Sequence, residues 1–256
     1  MNWLVLVVCI SCAASARAAS LPGENNQAVP CRPTVSCIAD FASPGTVEVE
    51  LGYQLQRLTP PTLAHSIPFL VKLTLADWAQ LQLGSNGPTF IPSGQPTRYV
   101  DNLTVGLKFH LRTQSRRAPS IAWSVAVGAP VDTAPGYQRA IDLSWTAYLS
   151  KDLGRFHLDF NAGVILWHLE GATVAQPWAA FAVSRALPRH FGLVAEVYYF
   201  AAARPFAADD GGLRVAASYS PRGWIVLDLG GDIGWFPSQR AVTVFAGFSV
   251  VPVALW

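Results

Sequence analysis

Charged residues are scarce in this sequence. Asp, Glu, Lys and Arg make up 13% of its 256 residues, whereas about 25% is usual for soluble domains. The formal net charge is only +2, and the basic residues are scattered instead of forming a stripe. A nucleic-acid partner is therefore not expected.

Long apolar runs are lacking as well. Beyond its N-terminal segment the chain has no run of about 18 apolar residues, so a transmembrane helix is not expected. Yet 51% of the residues are hydrophobic, which is too much for a disordered chain. Abundant apolar surface without a spanning helix indicates either a large soluble β core or a membrane barrel.

Residues 1–18 have the pattern of a signal peptide. An apolar stretch covers residues 3–10, and Ala16 and Ala18 supply the small side chains that signal peptidase needs. A lipidated cysteine at position 9 or 12 is the alternative, but Val8 is too large to precede one. We therefore expect export and cleavage after Ala18.

Cleavage there leaves two cysteines, Cys31 and Cys37. A cysteine pair in an exported chain predicts a disulfide. It would staple residues 19–44, which we expect to form a Pro-containing segment in the periplasm. The pair lacks the two further ligands of a zinc site, so neither a metal nor another cofactor is expected.

The dominant pattern in the remaining chain is a period of two. Between Asn102 and Arg112, apolar residues occupy the odd positions and polar or small residues the even ones. Strands of this length, tilted, cross a bilayer. The pattern repeats at 47–56, 141–150 and 156–164, and less regular strands are predicted near 66–75, 78–84, 118–129, 174–185, 190–203, 211–220, 223–234 and 240–250.

The predicted connections alternate between long and short. The long ones are 58–65, 85–99, 130–137, 168–174, 204–210 and 235–239, and the short ones are 76–77, 113–117, 151–154, 186–189 and 221–222. A barrel with both termini in the periplasm requires an external first connection and tight periplasmic turns. An even number of strands also closes the sheet without a free edge.

These patterns predict an all-β fold: a transmembrane antiparallel up-and-down β-barrel of about 12 strands in the bacterial outer membrane, over residues 45–250. Pro252 should interrupt the last strand near Val250 and leave a tail at 251–256. A soluble β-sandwich or lipocalin-like barrel would alternate in the same way with its apolar face inward. The long strands, the low charge and the signal peptide favour the membrane version.

Several segments resemble a known family. They are GTVEVELGY at 45–53, DNLTVGLKF at 101–109, SKDLG at 150–154, Glu196 in its strand, and FAGFS at 245–249. They are similar to the outer-membrane transporter family of the MetA-pathway of phenol degradation, over roughly residues 40–250. The resemblance implies a β-barrel that carries aromatic or other apolar compounds inward. The pair Cys31 and Cys37 and the tail after Pro252 depart from the family.

If the apolar face meets lipid, the alternate residues line the lumen. The ionisable candidates for solute contact are Glu48, Glu50, Lys72, Lys108, His110, Arg112, Asp142, His157, Asp159, Glu196, Arg214, Asp228 and Asp232. They could orient a solute, or they could pair with one another and brace a narrow barrel. Lys108, His110 and Arg112 form a basic ladder that could guide an anion, unless Glu48, Glu50 or Glu196 neutralises it.

The first functional hypothesis is a passive channel or transporter for small apolar or aromatic solutes. A surface barrel that adheres through the loop at 85–99 is one alternative. A hydrolase is another, with His157 and Asp159 as an acid–base pair, but no histidine pairs recognisably with a serine on an apolar face, and an enzyme is not expected. The expected partners are outer-membrane lipid, the insertion machinery, which reads a terminal aromatic such as Trp256, and a small-molecule solute.

Overall fold

Alternating residues form β-strands along almost the whole described chain. The computed structural model describes residues 27–58, 62–92, 97–100, 103–129, 131, 141–169, 172–203, 208–235 and 240–256. The predicted signal peptide at 1–18 lies outside them. The strands are β1 Thr46–Leu58, β2 Thr62–Ser66, β3 Phe69–Ala76, β4 Ala79–Ser85, β5 Pro88–Ile91, β6 Thr97–Val100, β7 Leu103–Arg112, β8 Ser120–Ala129, β9 Asp142–Leu153, β10 Phe156–Leu169, β11 Ala172–Ala186, β12 Phe191–Phe200, β13 Asp210–Arg222, β14 Ile225–Gly234 and β15 Arg240–Ala254.

A 3₁₀ turn at Pro188–His190 precedes β12. In the described part of the chain, no helix is long and apolar enough to cross a membrane.

The strands form one antiparallel sheet, and β15 pairs with β1 to close it. Three wall strands are each interrupted once. β2 and β3 pair with β1 in a single continuous register, from Leu58↔Thr62 to Val47↔Leu73, and they are separated at Pro68, which has no N–H to donate. β4 and β5, and likewise β6 and β7, are two parts of one wall strand. The fifteen segments therefore build the predicted twelve-stranded barrel.

The barrel is apolar on its outside and polar within. Leu229 is 61% exposed while the adjacent Asp228 is 7% exposed, and Val215 is 52% exposed while Arg214 is 8% exposed. A soluble barrel would have the opposite arrangement, because its apolar face must be buried. An apolar outer surface is what a bilayer requires of a spanning barrel, so the membrane version of the fold is confirmed.

Both ends of the sheet meet at one rim. The start of β1 pairs with the end of β15, Thr46 opposite Ala254, and tight turns such as Gly154-Arg155 and Gly223-Trp224 lie at the same rim. We call it the short-turn end. In outer-membrane barrels the short turns face the periplasm.

Three of the predicted loops at the opposite rim are partly strand. Strands occupy most of the predicted loops 58–65 and 168–174, because β2 begins at Thr62 and β11 begins at Ala172. Much of 85–99 is the β5–β6 hairpin. Polar strand residues here also pair through their side chains, as Thr173 Oγ1 and His168 Nδ1 do at 2.7 Å. At these three connections the alternation of loop lengths is therefore weaker than the sequence indicated.

The last strand also continues further than predicted. β15 extends to Ala254 instead of ending near Val250. Pro252 is accommodated at a register shift, where Val49 pairs with Val250 but Val47 pairs with Val253. A bulge leaves one residue outside the ladder, so the missing N–H of proline breaks no required hydrogen bond. The predicted tail is thus mostly strand.

Candidate functional site: a lumen closed by the N-terminal segment

The N-terminal segment lies inside the barrel. Ala28 N donates to Gly223 O at the short-turn end (2.9 Å), Pro33 O accepts from Arg214 Nη1 deeper in the lumen (3.0 Å), and Gly45 N donates to Thr74 O where the chain enters β1 (2.8 Å). Residues 28–44, which we call the plug, therefore rise into the lumen and return. This corrects the prediction that residues 19–44 form a periplasmic segment; residues 19–26 lie outside the described ranges.

A covalent link closes the top of the plug. The sulfur atoms of Cys31 and Cys37 are 1.98 Å apart, at disulfide distance, as the sequence predicted. Inside this loop Thr34 Oγ1 lies 2.9 Å from Cys31 O and 2.6 Å from Ser36 O. The loop is thus braced from within.

Two carboxylates of β1 hold the rising arm of the plug by its backbone. Val29 N donates to Glu48 Oε1 at 3.0 Å. Cys31 N and Arg32 N donate to the two oxygens of Glu50, each at 2.9 Å. Hydrogen bonds to a charged acceptor are stronger than neutral ones, so both glutamates are strong acceptors for the N–H groups of the plug.

Glu196 and Asn161 hold the returning arm. Glu196 on β12 accepts from Val35 N at 2.7 Å, from Ser36 N at 2.6 Å and from Ser36 Oγ at 2.7 Å. Asn161 on β10 accepts from Cys37 N at 2.6 Å and donates to Cys37 O at 3.0 Å. Asn161 was not among the predicted site residues, because an uncharged amide on a strand gives no distinctive sequence signal.

Lys72 is buried between the two β1 glutamates. Its Nζ lies 2.9 Å from Glu48 Oε2 and 2.6 Å from Glu50 Oε1, and it donates to Val29 O at 2.7 Å. A buried charge must be paired and hydrogen-bonded. This cluster combines the predicted bracing of the wall with recognition of the plug.

Two further cations bind plug carbonyls. Lys108 Nζ donates to Ile38 O and lies 4.3 Å from the centre of the Tyr148 ring. Arg214 donates to Pro33 O and pairs with Asp232 Oδ2 at 3.3 Å. The wall therefore presents acids to plug N–H groups and bases to plug C=O groups.

His110 belongs to a small cluster at the short-turn end. Its Nε2 lies 3.2 Å from Asp40 Oδ1 of the plug and 3.0 Å from Ser120 Oγ, and Ser120 Oγ also bonds Asp40. In a catalytic triad the carboxylate and the serine contact different ring nitrogens. Here both contact the same nitrogen, which is the geometry of an anchor for the plug.

His157 is held between two carboxylates. Its Nδ1 lies 2.7 Å from Asp152 Oδ1 and its Nε2 lies 3.1 Å from Asp159 Oδ1. Asp159 also accepts from Ser150 Oγ at 2.5 Å, and that oxygen accepts from Ala39 N at 2.7 Å. Both ring nitrogens are engaged by acids, so the contacts are those of a paired histidine and not of a base facing a nucleophile.

Arg112 is the one predicted lumen residue that faces away. A register shift between His110 and Arg112 places Arg112 opposite Ile121, which alternates with the buried Ser120 and Ala122. Arg112 is accordingly exposed, and the predicted basic ladder is broken after His110. Asp142 does face inward, at the opposite rim. Solute contact by any of these residues stays a prediction.

Above the plug the lumen opens into a vestibule. It comprises two adjoining cavities of about 500 Å³ each, which share Gln54, Ile165, Trp167 and Arg214 among their lining residues. Its lining combines aromatic side chains, including Tyr198, Phe200 and Phe245, with amides such as Gln54, Gln56 and Gln82. The alternation that puts His157 inside also puts Trp167 inside, so the inward position of this ring could have been predicted.

A smaller cavity of about 300 Å³ lies on the short-turn side of the plug apex, beside His157 and Asp159. Arg32, Pro33 and Thr34 line both this cavity and the vestibule. We call these three residues the septum, because they lie between the two spaces and line both.

The sequence matches no family model and no curated protein sequence. Solved structures do match. An outer-membrane channel from Pseudomonas putida F1 superposes with a TM-score of 0.61 at 14% identity, over 91% of this chain and 100% of that one. The NanC porin superposes with a TM-score of 0.56 at 9% identity, over 80% of this chain and 98% of that one. With the apolar exterior, this shared fold defines the chain as a bacterial outer-membrane β-barrel.

Proposed function

We propose that this barrel is a channel for small solutes that carry an aromatic or apolar group, and that the vestibule is where they bind. The observation that carries the proposal is the vestibule itself, a space of solute size lined by both aromatic rings and amides. The fold shared with an outer-membrane channel and a porin supports it.

The dimensions suit a substituted aromatic ring. A cavity of about 150 Å³ is enough for benzene, and each part of the vestibule has about 500 Å³. A ring could pack against Trp167, whose Nε1 donates to Gln176 Oε1 at 2.9 Å and fixes the indole. Polar substituents would meet the amides of the same lining, such as Gln54 and Gln82. The resemblance to the phenol-degradation transporter family points to the same class of solute.

Liposome swelling with the full-length protein tests this function. L-phenylalanine and L-glutamine are similar in size, carry no net charge and cross bilayers slowly, so their entry reports on the barrel. We expect faster swelling with phenylalanine, at a low rate because the plug occupies part of the lumen. Equal entry of the two solutes would contradict the aromatic preference. No entry of either, even after urea has loosened the plug, would contradict the channel.

A further inference from the structure

Arg32 is the septum residue whose side chain reaches the barrel wall. Its Nε lies 3.2 Å from Asp228 Oδ2 and its Nη2 lies 3.0 Å from Asp228 Oδ1 on β14. A bidentate guanidinium–carboxylate pair fixes the orientation of the arginine side chain as well as its distance from the carboxylate. The side chain of Asp228 is 1% exposed and that of Arg32 is 13% exposed, so solvent screens this pair little.

Two glycines make room for the Arg32 guanidinium. Gly52 on β1 and Gly247 on β15 are directly paired across the seam that closes the barrel. A Cβ on Gly52 would lie 2.2 Å from Arg32 Nη1, 2.4 Å from its Cζ and 2.6 Å from its Nη2, and a Cβ on Gly247 would lie 2.6 Å from Nη2. The guanidinium thus occupies a slot that any other residue at these positions would fill.

We infer that Arg32, seated in the slot of Gly52 and Gly247 and bound to Asp228, is the latch that keeps the plug closed. The inference rests on the proposed channel function and assigns its regulation. Most other wall contacts bind plug backbone, which is present at every residue. Arg32 instead joins the septum to the wall through its own side chain, so its release leaves the septum held through its backbone, by Glu50 at Arg32 N and by Arg214 at Pro33 O.

Gly52→Ala tests the latch without changing any charge. The three atoms nearest to the added methyl all belong to Arg32, so the substitution displaces the guanidinium and leaves the wall in place. Gly84→Ala is the matched control, because this glycine also lines the vestibule but a Cβ there meets Leu70 and Phe69 instead of the plug. Arg32→Ala and Asp228→Asn remove the pair directly.

The full chain is compared by two measurements: open probability in planar bilayers, and hydrogen exchange of plug amides by mass spectrometry. Losing hydrogen bonds to a charged group should raise open probability and plug exchange about ten- to a hundredfold in Arg32→Ala, Asp228→Asn and Gly52→Ala. Arg32→Ala/Gly52→Ala should match Arg32→Ala alone, since both changes remove one interaction. Gly84→Ala should behave as wild type. On a gel, the unboiled sample of each variant should migrate at the position of the unboiled wild type, which establishes that its barrel is folded.

The outcomes separate the latch from the channel. Unchanged plug exchange in Arg32→Ala and Gly52→Ala overturns the latch, whether or not the barrel conducts. If the effects of the two substitutions add up in Arg32→Ala/Gly52→Ala, Gly52 acts independently of Arg32. That result overturns the assignment of Gly52 to the Arg32 slot. If urea opens no conductance in any variant while plug exchange rises as expected, the latch stands and the channel function fails.

Discussion

Asn161 and Cys37 exchange two hydrogen bonds, Cys37 N to Oδ1 at 2.6 Å and Nδ2 to Cys37 O at 3.0 Å. The side-chain amide thus makes the pair of hydrogen bonds that the backbone of a neighbouring strand would make with Cys37. Asn161 is fully buried, and it binds the backbone of Cys37 instead of a plug side chain. The barrel wall therefore holds the plug mainly through backbone groups that any sequence in the plug would offer, and the side chains of Arg32, Ser36 and Asp40 add contacts of their own.

Asn161→Ala should loosen the plug. Two hydrogen bonds, each contributing about 0.5–1.5 kcal/mol, are lost, which corresponds to roughly a tenfold rise in plug exchange. Asn161→Asp should have at least as large an effect, because its carboxylate still accepts from Cys37 N but faces the carbonyl oxygen. Hydrogen exchange of the plug measures both. Gln82→Ala is the control, since Gln82 bonds Gln80 on the wall; an equal effect there would contradict the assignment.

Lys72→Met should destabilise the whole barrel. It leaves Glu48 and Glu50 buried beside each other without their cation, and breaking a buried pair in this way typically costs about 3–5 kcal/mol. The temperature at which the unboiled gel band converts to the unfolded one should fall clearly. Adding Glu50→Gln should restore part of the loss, because one buried charge is removed. Lys151→Met, at the more exposed end of β9, should change little.

The strands could be predicted because one physical requirement governs every residue in them. A barrel wall between lipid and a polar lumen enforces alternation, and segments such as Asn102–Arg112 display it. Local irregularities escaped prediction. One register shift turns Arg112 outward and another accommodates Pro252. Both are set by pairing with the neighbouring strand, and no single residue type in the sequence indicates where they occur.

The plug could not be predicted from periodicity, because it has none. Its amides bond to Glu50 and Glu196, which are distant in sequence. The lumen charges were predicted either to orient a solute or to pair among themselves. The structure shows a third use, in which they bind an inserted segment. One available signal was the cysteine pair, since Cys31 and Cys37 close a short loop just before the first strand.

Trp167→Ala should reduce discrimination between solutes. The indole lines both parts of the vestibule, and an aromatic contact contributes about 0.5–1.5 kcal/mol beyond area burial, so the preference for phenylalanine over glutamine should fall roughly two- to tenfold. Liposome swelling measures the ratio. Trp145→Ala is the matched control, because Trp145 lies on the outer surface and is 45% exposed. A ratio unchanged in Trp167→Ala would exclude this ring from solute recognition.

Once the plug is released, the channel should prefer cations. Carboxylates outnumber lysines and arginines among the inward-facing candidate residues: Glu48, Glu50, Asp142, Asp159, Glu196, Asp228 and Asp232 against Lys72, Lys108 and Arg214. In the closed state plug amides satisfy several of these acids, and a lumen of one predominant sign attracts counter-ions when it opens. The reversal potential of Arg32→Ala across a KCl gradient should therefore have the sign of potassium selectivity. Glu196→Gln in that background should reduce it, whereas Asp77→Asn, in an exposed turn, should not. Chloride selectivity would show instead that Lys108 and His110 dominate the open path.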